Sequence, residues 1–300
     1  MKRESFVSHD GKTLSLLVWD EINNAKAVVQ ISHGMAEHAE RYDYFATKLN
    51  EAGYVVIADD HRAHGKTDPD RLGKAEEGKN LFDDTVEDMK SITDMAKERY
   101  GLPVVLFGHS YGSFLSQAYI EKYSDDITAC VLSGSALYGK LLATFGKFVA
   151  GRKAKKHPDE DGKFFAKITF ESYDKKLGEG KNAWLSNSKE SNEKYSADPL
   201  SGFTCSNAFY KYMFAGMKNL CTPTSNARTD LPIFLISGER DFVGNCGKLV
   251  KKLSRKYEKT IADVTWKEYP KARHELLNEP NKDEVITDVL AFIKRTTKRI

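Results

Sequence analysis

Three chemically capable groups follow one another along this chain in a telling order: a serine hydroxyl, a carboxylate and an imidazole. The serine is Ser110, in Leu106-Phe107-Gly108-His109-Ser110-Tyr111-Gly112. Gly108, Ser110 and Gly112 meet the pattern G-x-S-x-G, and the apolar run Pro103–Phe107 leads directly into it. Such a pattern needs small residues two before and two after the serine, because the entering strand and the departing helix approach closely there. Alone, five residues are equally compatible with a plain strand-to-helix turn. A serine hydroxyl is a weak nucleophile near neutral pH, so it needs a base, and the base needs an orienting acid.

Both are available further along. Glu239 and Asp241 follow the apolar run Pro232–Ile236, so either acid sits at the end of a strand. His274 lies in Tyr269-Pro270-Lys271-Ala272-Arg273-His274-Glu275, beyond the next strand, and is the only histidine in the last third of the chain. Serine, acid, histidine is the order expected of a G-x-S-x-G hydrolase. Acyl transfer also needs donors for an oxyanion. The backbone N–H of Tyr111, next to the serine, is one candidate. The other is Met35, in His33-Gly34-Met35-Ala36-Glu37-His38 after the run Ala27–Ser32.

The elements that must position these groups alternate between two periods. Short apolar or β-branched runs at 27–32, 54–58, 103–107, 128–132, 232–236 and 263–269 read as strands. Segments of helical period lie at 42–52, 81–100, 113–123, 248–257 and 283–296. This alternation predicts a mostly parallel sheet covered on both faces. The first twenty residues instead predict a hairpin around Asp10-Gly11.

The alternation stops between Ala136 and about Arg228. The expected organisation is therefore a core from residues 1–135 and 229–300, with an inserted helical cap at 136–228. Leu137, Leu141, Leu142, Phe145, Phe148 and Val149 follow a helical period in the insertion. Its aromatics Phe145, Phe148, Trp184, Phe209, Tyr210 and Phe214 suit either an apolar acyl pocket or a small core of the cap itself. The basic cluster Arg152–Lys156 reads as a solvated face, with transient contact to an anionic membrane surface as the second reading.

Composition narrows the function. A 300-residue chain with 40% hydrophobic and 30% charged residues is ordinary for a globular protein, and its net charge of +3 gives no reason to expect nucleic-acid binding. No apolar run approaches bilayer length, and the N-terminal residues carry no leader-like apolar stretch. Cys130, Cys205, Cys221 and Cys246 are scattered, as expected for free thiols in a reducing cytoplasm. The pairs His33/His38 and His61/His64 lack metal-site spacing, and no glycine-rich phosphate loop is present, so neither a metal nor a cofactor is expected.

With these residues collected, the chain resembles the α/β-hydrolase superfamily, and within it the monoacylglycerol lipase and lysophospholipase group, which is classed with serine aminopeptidase-type hydrolases. Five stretches carry the resemblance: His33–Tyr42, Ala58–Asp68, Gly108–Gly112, Ser237–Val243 and Arg273–Glu279. It implies an α/β-hydrolase fold with a sheet of about eight strands and an inserted cap. It also implies Ser110 as nucleophile, Asp241 rather than Glu239 as acid, His274 as base, and Met35 and Tyr111 N–H as oxyanion donors, with Gly108, His109 and Gly112 framing the elbow. The implied substrates are monoacylglycerols, lysophospholipids or simple carboxylic esters. The chain departs from the group at Ala63, Thr67, Tyr111 and Ser113, where glycine, serine, methionine and glycine are usual. The alternatives are a peptidase or amidase on the same triad, using a cap acid such as Glu171, Asp174 or Glu179 to hold a peptide N-terminus, and a non-catalytic binding protein of the same fold.

Overall fold

The computed structural model of the chain describes residues 1–76, 78–224 and 226–298. Strands β1 (Lys2–Val7) and β2 (Thr13–Trp19) form the hairpin, followed by β3 (Val28–Ser32), α1 (Asp43–Glu51), β4 (Val55–Asp60) and α2 (Leu81–Tyr100). Then come β5 (Val104–His109), α3 (Tyr111–Tyr123) and β6 (Ala129–Ser133). Helices α4 (Lys140–Lys156), α5 (Lys163–Ile168), α6 (Phe170–Leu177), α7 (Lys189–Ala197) and α8 (Asn207–Asn219) intervene before the alternation resumes. The chain closes with β7 (Ile233–Gly238), α9 (Lys248–Tyr257), β8 (Val264–Tyr269) and α10 (Lys282–Thr297).

The eight strands form one sheet in the order β1-β2-β4-β3-β5-β6-β7-β8. Only the β1–β2 and β2–β4 pairs are antiparallel; β3 pairs in parallel with both β4 and β5, and the remaining pairs are parallel. This is the expected α/β-hydrolase architecture. Strand pleat divides the core in two. Val104 and Leu106 of β5 join a cluster with Leu115 of α3 and Met89 of α2, whereas Val105 and Phe107 join Phe45 of α1 and Val289 of α10 on the opposite face. Strands buried on both faces explain why their sequences are continuous apolar runs rather than alternating ones. Parallel strands also bring the ends of β3, β5, β7 and β8 to one edge, where loops can converge.

The insertion departs from one expectation. Its first helix forms, but Leu141, Phe145 and Phe148 neither join the core nor border the cavities beside Ser110, being 88, 63 and 59% exposed, and Leu142 is 58% exposed. The buried face of α4 is the small-residue stripe Ala143, Gly146, Ala150 and Ala154. A β-carbon on Gly146 would lie 2.8 Å from the Phe214 ring of α8, so the two helices approach backbone to ring. Small residues permit that approach, and the bulky ones are left on the outside. Trp184, Phe209 and Tyr210 are buried as expected, and Phe214 packs partly buried against them.

Candidate active site

The elbow follows from packing at the end of β5. Ser110 adopts φ +52 and ψ −116, a conformation that non-glycine residues rarely hold. Its N–H donates to the Ser133 carbonyl at 2.9 Å, which ties the turn to β6. The flanking glycines are required by space. A β-carbon on Gly108 would stand 2.6 Å from the Gly112 carbonyl oxygen, and one on Gly112 would stand 2.1 Å from that of Ser32. Ser113, where a second glycine is usual, donates its hydroxyl to the Ser110 carbonyl at 2.6 Å and so braces the turn.

Residues 164 positions apart meet here. His274 Nε2 lies 2.9 Å from Ser110 Oγ, and His274 Nδ1 lies 3.0 Å from Asp241 Oδ1. Asp241 Oδ1 also accepts the Val243 N–H at 2.8 Å, which fixes the carboxylate. Both acid and imidazole are buried. Burial pushes the His274 pKa down, but the charge and hydrogen bond of Asp241 outweigh it, and the net direction is up. Glu239, the other acid at this strand end, instead accepts the exposed Lys271 N–H at 2.7 Å.

The loop after β3 curls over the serine. Its shape is set by buried histidines with assigned tautomers. His33 Nε2 accepts the His61 N–H at 2.9 Å, so Nδ1 carries the proton and donates to the Gly34 carbonyl at 2.7 Å. His64 Nε2 accepts the Ala36 N–H at 3.2 Å, and its other nitrogen donates to the Arg62 carbonyl at 2.9 Å. Burial keeps both rings neutral: the His33 pKa is pushed well down and that of His64 falls to about 3. Gly34 is confined by Glu37, whose carboxylate accepts the Gly34 N–H at 2.5 Å and would sit 2.5 Å from any β-carbon there. Among the described residues, the Met35 and Tyr111 N–H groups donate to no protein acceptor.

Two cavities flank Ser110. One, of about 280 Å³, is apolar and runs between Met35, Tyr111, Phe114, Tyr138, Met213 and Phe214 to the exposed Leu142 and Ile168. The other, of about 230 Å³, carries polar groups: Glu171, Asp174, Lys181 and Asn182 border it beside Trp184 and His274. Asp174 already accepts the Asn182 and Trp184 N–H groups at 2.7 and 3.2 Å. Glu179 lies outside both cavities and pairs with Arg273 at 2.7 Å.

Sequence reasoning placed His109 in the elbow and Trp184 among the cap aromatics without setting either beside His274, and it gave Arg41, Glu37 and Glu275 no role. The Trp184 ring stacks obliquely 5.1 Å from the His274 ring, and the His109 ring lies 4.8 Å from it. Arg41, Glu37 and Glu275 form a buried charged group immediately behind the histidine. A signal was present in the spacing of Glu37 and Arg41, four apart on one turn, but their shared partner Glu275 could not be read from it. The one carboxylate–histidine cluster with metal-like spacing among the described residues, His9, Asp10 and Asp88, lies elsewhere. Arg62 occupies it, donating to Asp10 at 2.8 Å and to Asp88 at 2.6 Å.

Comparison with known proteins identifies the family. The family described as serine aminopeptidase, S33, matches residues 23–281. A monoacylglycerol lipase of Mycolicibacterium smegmatis is 28% identical over 298 residues, covering 96% of this chain and 95% of that one. A monoglyceride lipase of Mus musculus is 25% identical over 287 residues, covering 92% and 88%. Among solved structures, a thermostable carboxyl esterase from Bacillus coagulans in complex with glycerol superposes with a TM-score of 0.89 at 27% identity, covering 99% of this chain and 98% of that one.

Proposed function

We propose that this chain, which belongs to the serine aminopeptidase S33 family and is a carboxylic ester hydrolase, cleaves monoacylglycerols and related lysophospholipid-like acyl esters through an acyl-enzyme on Ser110. The observation that carries the reading is the continuous relay Ser110–His274–Asp241 at 2.9 and 3.0 Å, set at the junction of an apolar and a polar cavity. His274 takes the Ser110 proton as Oγ attacks the ester carbonyl. The Met35 and Tyr111 N–H groups receive the oxyanion. His274 then passes its proton to the departing alcohol, and water activated by the same imidazole releases the fatty acid. Asp241 holds the ring in its working tautomer throughout. The acyl chain takes the apolar cavity, and the polyol leaves through the polar one.

The 136–228 segment serves as a cap that meets the lipid surface. Leu141, Phe145, Phe148 and Arg152 fall on one stripe of α4, and Lys140, Lys147, Lys153, Lys155 and Lys156 add further cations with no acid on the helix. Phe164 and Ile168 of α5 extend the apolar patch to the rim of the acyl cavity. An anionic membrane surface complements both features. No helix among the described residues is long and apolar enough to cross a membrane. The four free thiols suit the reducing cytoplasm.

Ser110→Ala tests the assignment. Turnover of p-nitrophenyl esters and monoacylglycerols should fall by several orders of magnitude, and labelling by a fluorophosphonate should vanish. Retained turnover would overturn the nucleophile. A peptidase reading has one observation in its favour, the cap acids Glu171 and Asp174 on the polar cavity, and aminoacyl anilides turned over faster than esters would establish it.

A further inference from the structure

Behind His274 sits a group of charges that the hydrolytic chemistry does not consume. Arg41 is buried, with 11% of its side chain exposed, between Glu37 and Glu275, at 4 and 6%. Its guanidinium donates two parallel bonds to Glu275, at 2.8 and 2.7 Å, and a third to Glu37. The face of the guanidinium rests 4.7 Å from the Tyr195 ring of α7. Each partner of Arg41 belongs to a different part of the site. Glu37 accepts the Gly34 N–H at 2.5 Å and the Tyr42 hydroxyl at 2.9 Å, so it shapes the loop that carries Met35. Glu275 directly follows His274, accepts Asn278 Nδ2 at 2.8 Å, and has its own N–H on the Leu185 carbonyl at 2.7 Å. Tyr195 donates to the Ala36 carbonyl at 3.0 Å, on the outer side of the same oxyanion loop.

We propose that Arg41 is a positioning residue that holds the oxyanion loop and the histidine loop in register, so that the developing oxyanion and the proton acceptor face Ser110 together. The inference rests on the Ser110 acyl-enzyme reading. An arginine is needed for geometric reasons. Only a planar fork can bind Glu275 bidentately and still reach Glu37, whereas a lysine offers one point charge. Two buried carboxylates this close require a cation between them. Arg41 stays charged, since the surrounding carboxylates outweigh its burial. Burial alone would raise the Glu275 pKa, but Arg41 brings it down to about 2, so the pair remains ionised throughout the working range. The groups facing His274 are then Asp241, Glu275, Glu37 and the neighbouring His109, whose burial and proximity to His274 lower its pKa to about 4.

Arg41 lines neither cavity itself; its partners Glu37, Tyr195 and Glu275 border the polar one, and none of them borders the apolar one, so for a small ester whose acyl group sits in the apolar cavity the loss of register acts on the transition state. The experiment compares Arg41→Met and Arg41→Lys with the wild type on a soluble short-chain p-nitrophenyl ester. The active fraction is titrated by fluorophosphonate, so any misfolded protein is excluded from kcat. Arg41→Met should lower kcat per active site by roughly 10- to 100-fold, the scale of a displaced oxyanion donor, with KM within about threefold. Affinity for an alkyl boronic acid, which becomes tetrahedral on Ser110, should fall by the same factor. Arg41→Lys should recover only part of the loss. Should Arg41→Met fail to fold, Glu275→Gln, which breaks the fork but keeps the Glu37 pair, should give the same kcat-only loss. An unchanged kcat, a loss confined to KM, or full recovery with lysine would each overturn the proposal. Ser110→Ala run alongside separates the two readings: an active Ser110→Ala overturns the acyl-enzyme itself, whereas an inactive one beside a fully active Arg41→Met overturns only the role of Arg41.

Discussion

Replacing Phe145 and Phe148 together by serine should detach the enzyme from lipid without touching its chemistry. The two rings are 63 and 59% exposed on α4. Burying a phenylalanine completely is worth about 2.5 kcal/mol, so covering three-fifths of each ring contributes about 3 kcal/mol for the pair. That corresponds to a roughly 100-fold change in membrane partitioning. Folding should survive, because both positions are exposed and serine is about as good a helix former as phenylalanine. Neither ring borders the cavities beside Ser110, so turnover of a soluble ester should be unchanged. The assay is co-sedimentation with sucrose-loaded vesicles, with and without phosphatidylglycerol, alongside hydrolysis of monoacylglycerol presented in the same vesicles. The wild type should bind the anionic vesicles more tightly, with binding weakened by salt, because α4 carries six exposed cations and no acid. The double variant should lose vesicle binding and vesicle-borne turnover together. A variant that binds like the wild type, with soluble-ester turnover intact, would refute the assignment of α4 as the lipid-facing surface.

The pH profile and the elbow give further checks. His274 must be neutral to accept the Ser110 proton, and its pKa lies above the ordinary histidine value of about 6.5, so kcat/KM should fall as pH drops through a midpoint above that value. Asp241→Asn removes the charge that raises it: the acid limb should move to lower pH, while kcat falls by roughly 10⁴ through loss of the working tautomer. A limb that stays in place in Asp241→Asn would sink this account of the imidazole. Gly112→Ala would place a methyl 2.1 Å from the Ser32 carbonyl oxygen and 2.5 Å from that of His33, both backbone atoms at the start of the loop that carries Met35. Melting temperature and fluorophosphonate labelling should both drop. Gly151→Ala, in α4 with nothing within 4 Å of the added carbon, should leave labelling unchanged and the melting temperature unchanged or higher.

The elements of the core were legible because each is enforced by a strong local signal. Val28–Ser32, Val104–His109 and Ile233–Gly238 are buried throughout, and burial on both faces produces the continuous apolar runs that mark them in the sequence. Leu81–Tyr100 is bounded as its periodicity predicts. Periodicity misled only in the insertion. The large residues of α4 and its small ones both recur at helical spacing, so the pattern identifies a helix but not which face is packed. The assumption that bulk goes inward fails when close approach to α8 favours Ala143, Gly146, Ala150 and Ala154.

The site divides along a similar line. Ser110, Asp241 and His274 could be found because each lies at the end of a parallel strand, and all such ends open on one edge of the sheet. Chain order therefore maps onto spatial proximity. The groups behind them obey no such rule. Arg41 and Glu275 are 234 positions apart, on loops that follow β3 and β8, and those strands are not neighbours: β5, β6 and β7 stand between them. Their loops meet only because both bend back over the elbow, and that bending is itself held by Arg41, Glu37 and the Leu185 carbonyl of the insertion. The sequence does supply half of the deduction. It places an arginine four residues after a glutamate, and a fork with five donors is not satisfied by one carboxylate. The second carboxylate comes from elsewhere in the chain, and a charge held in place at the residue after His274 also holds that imidazole.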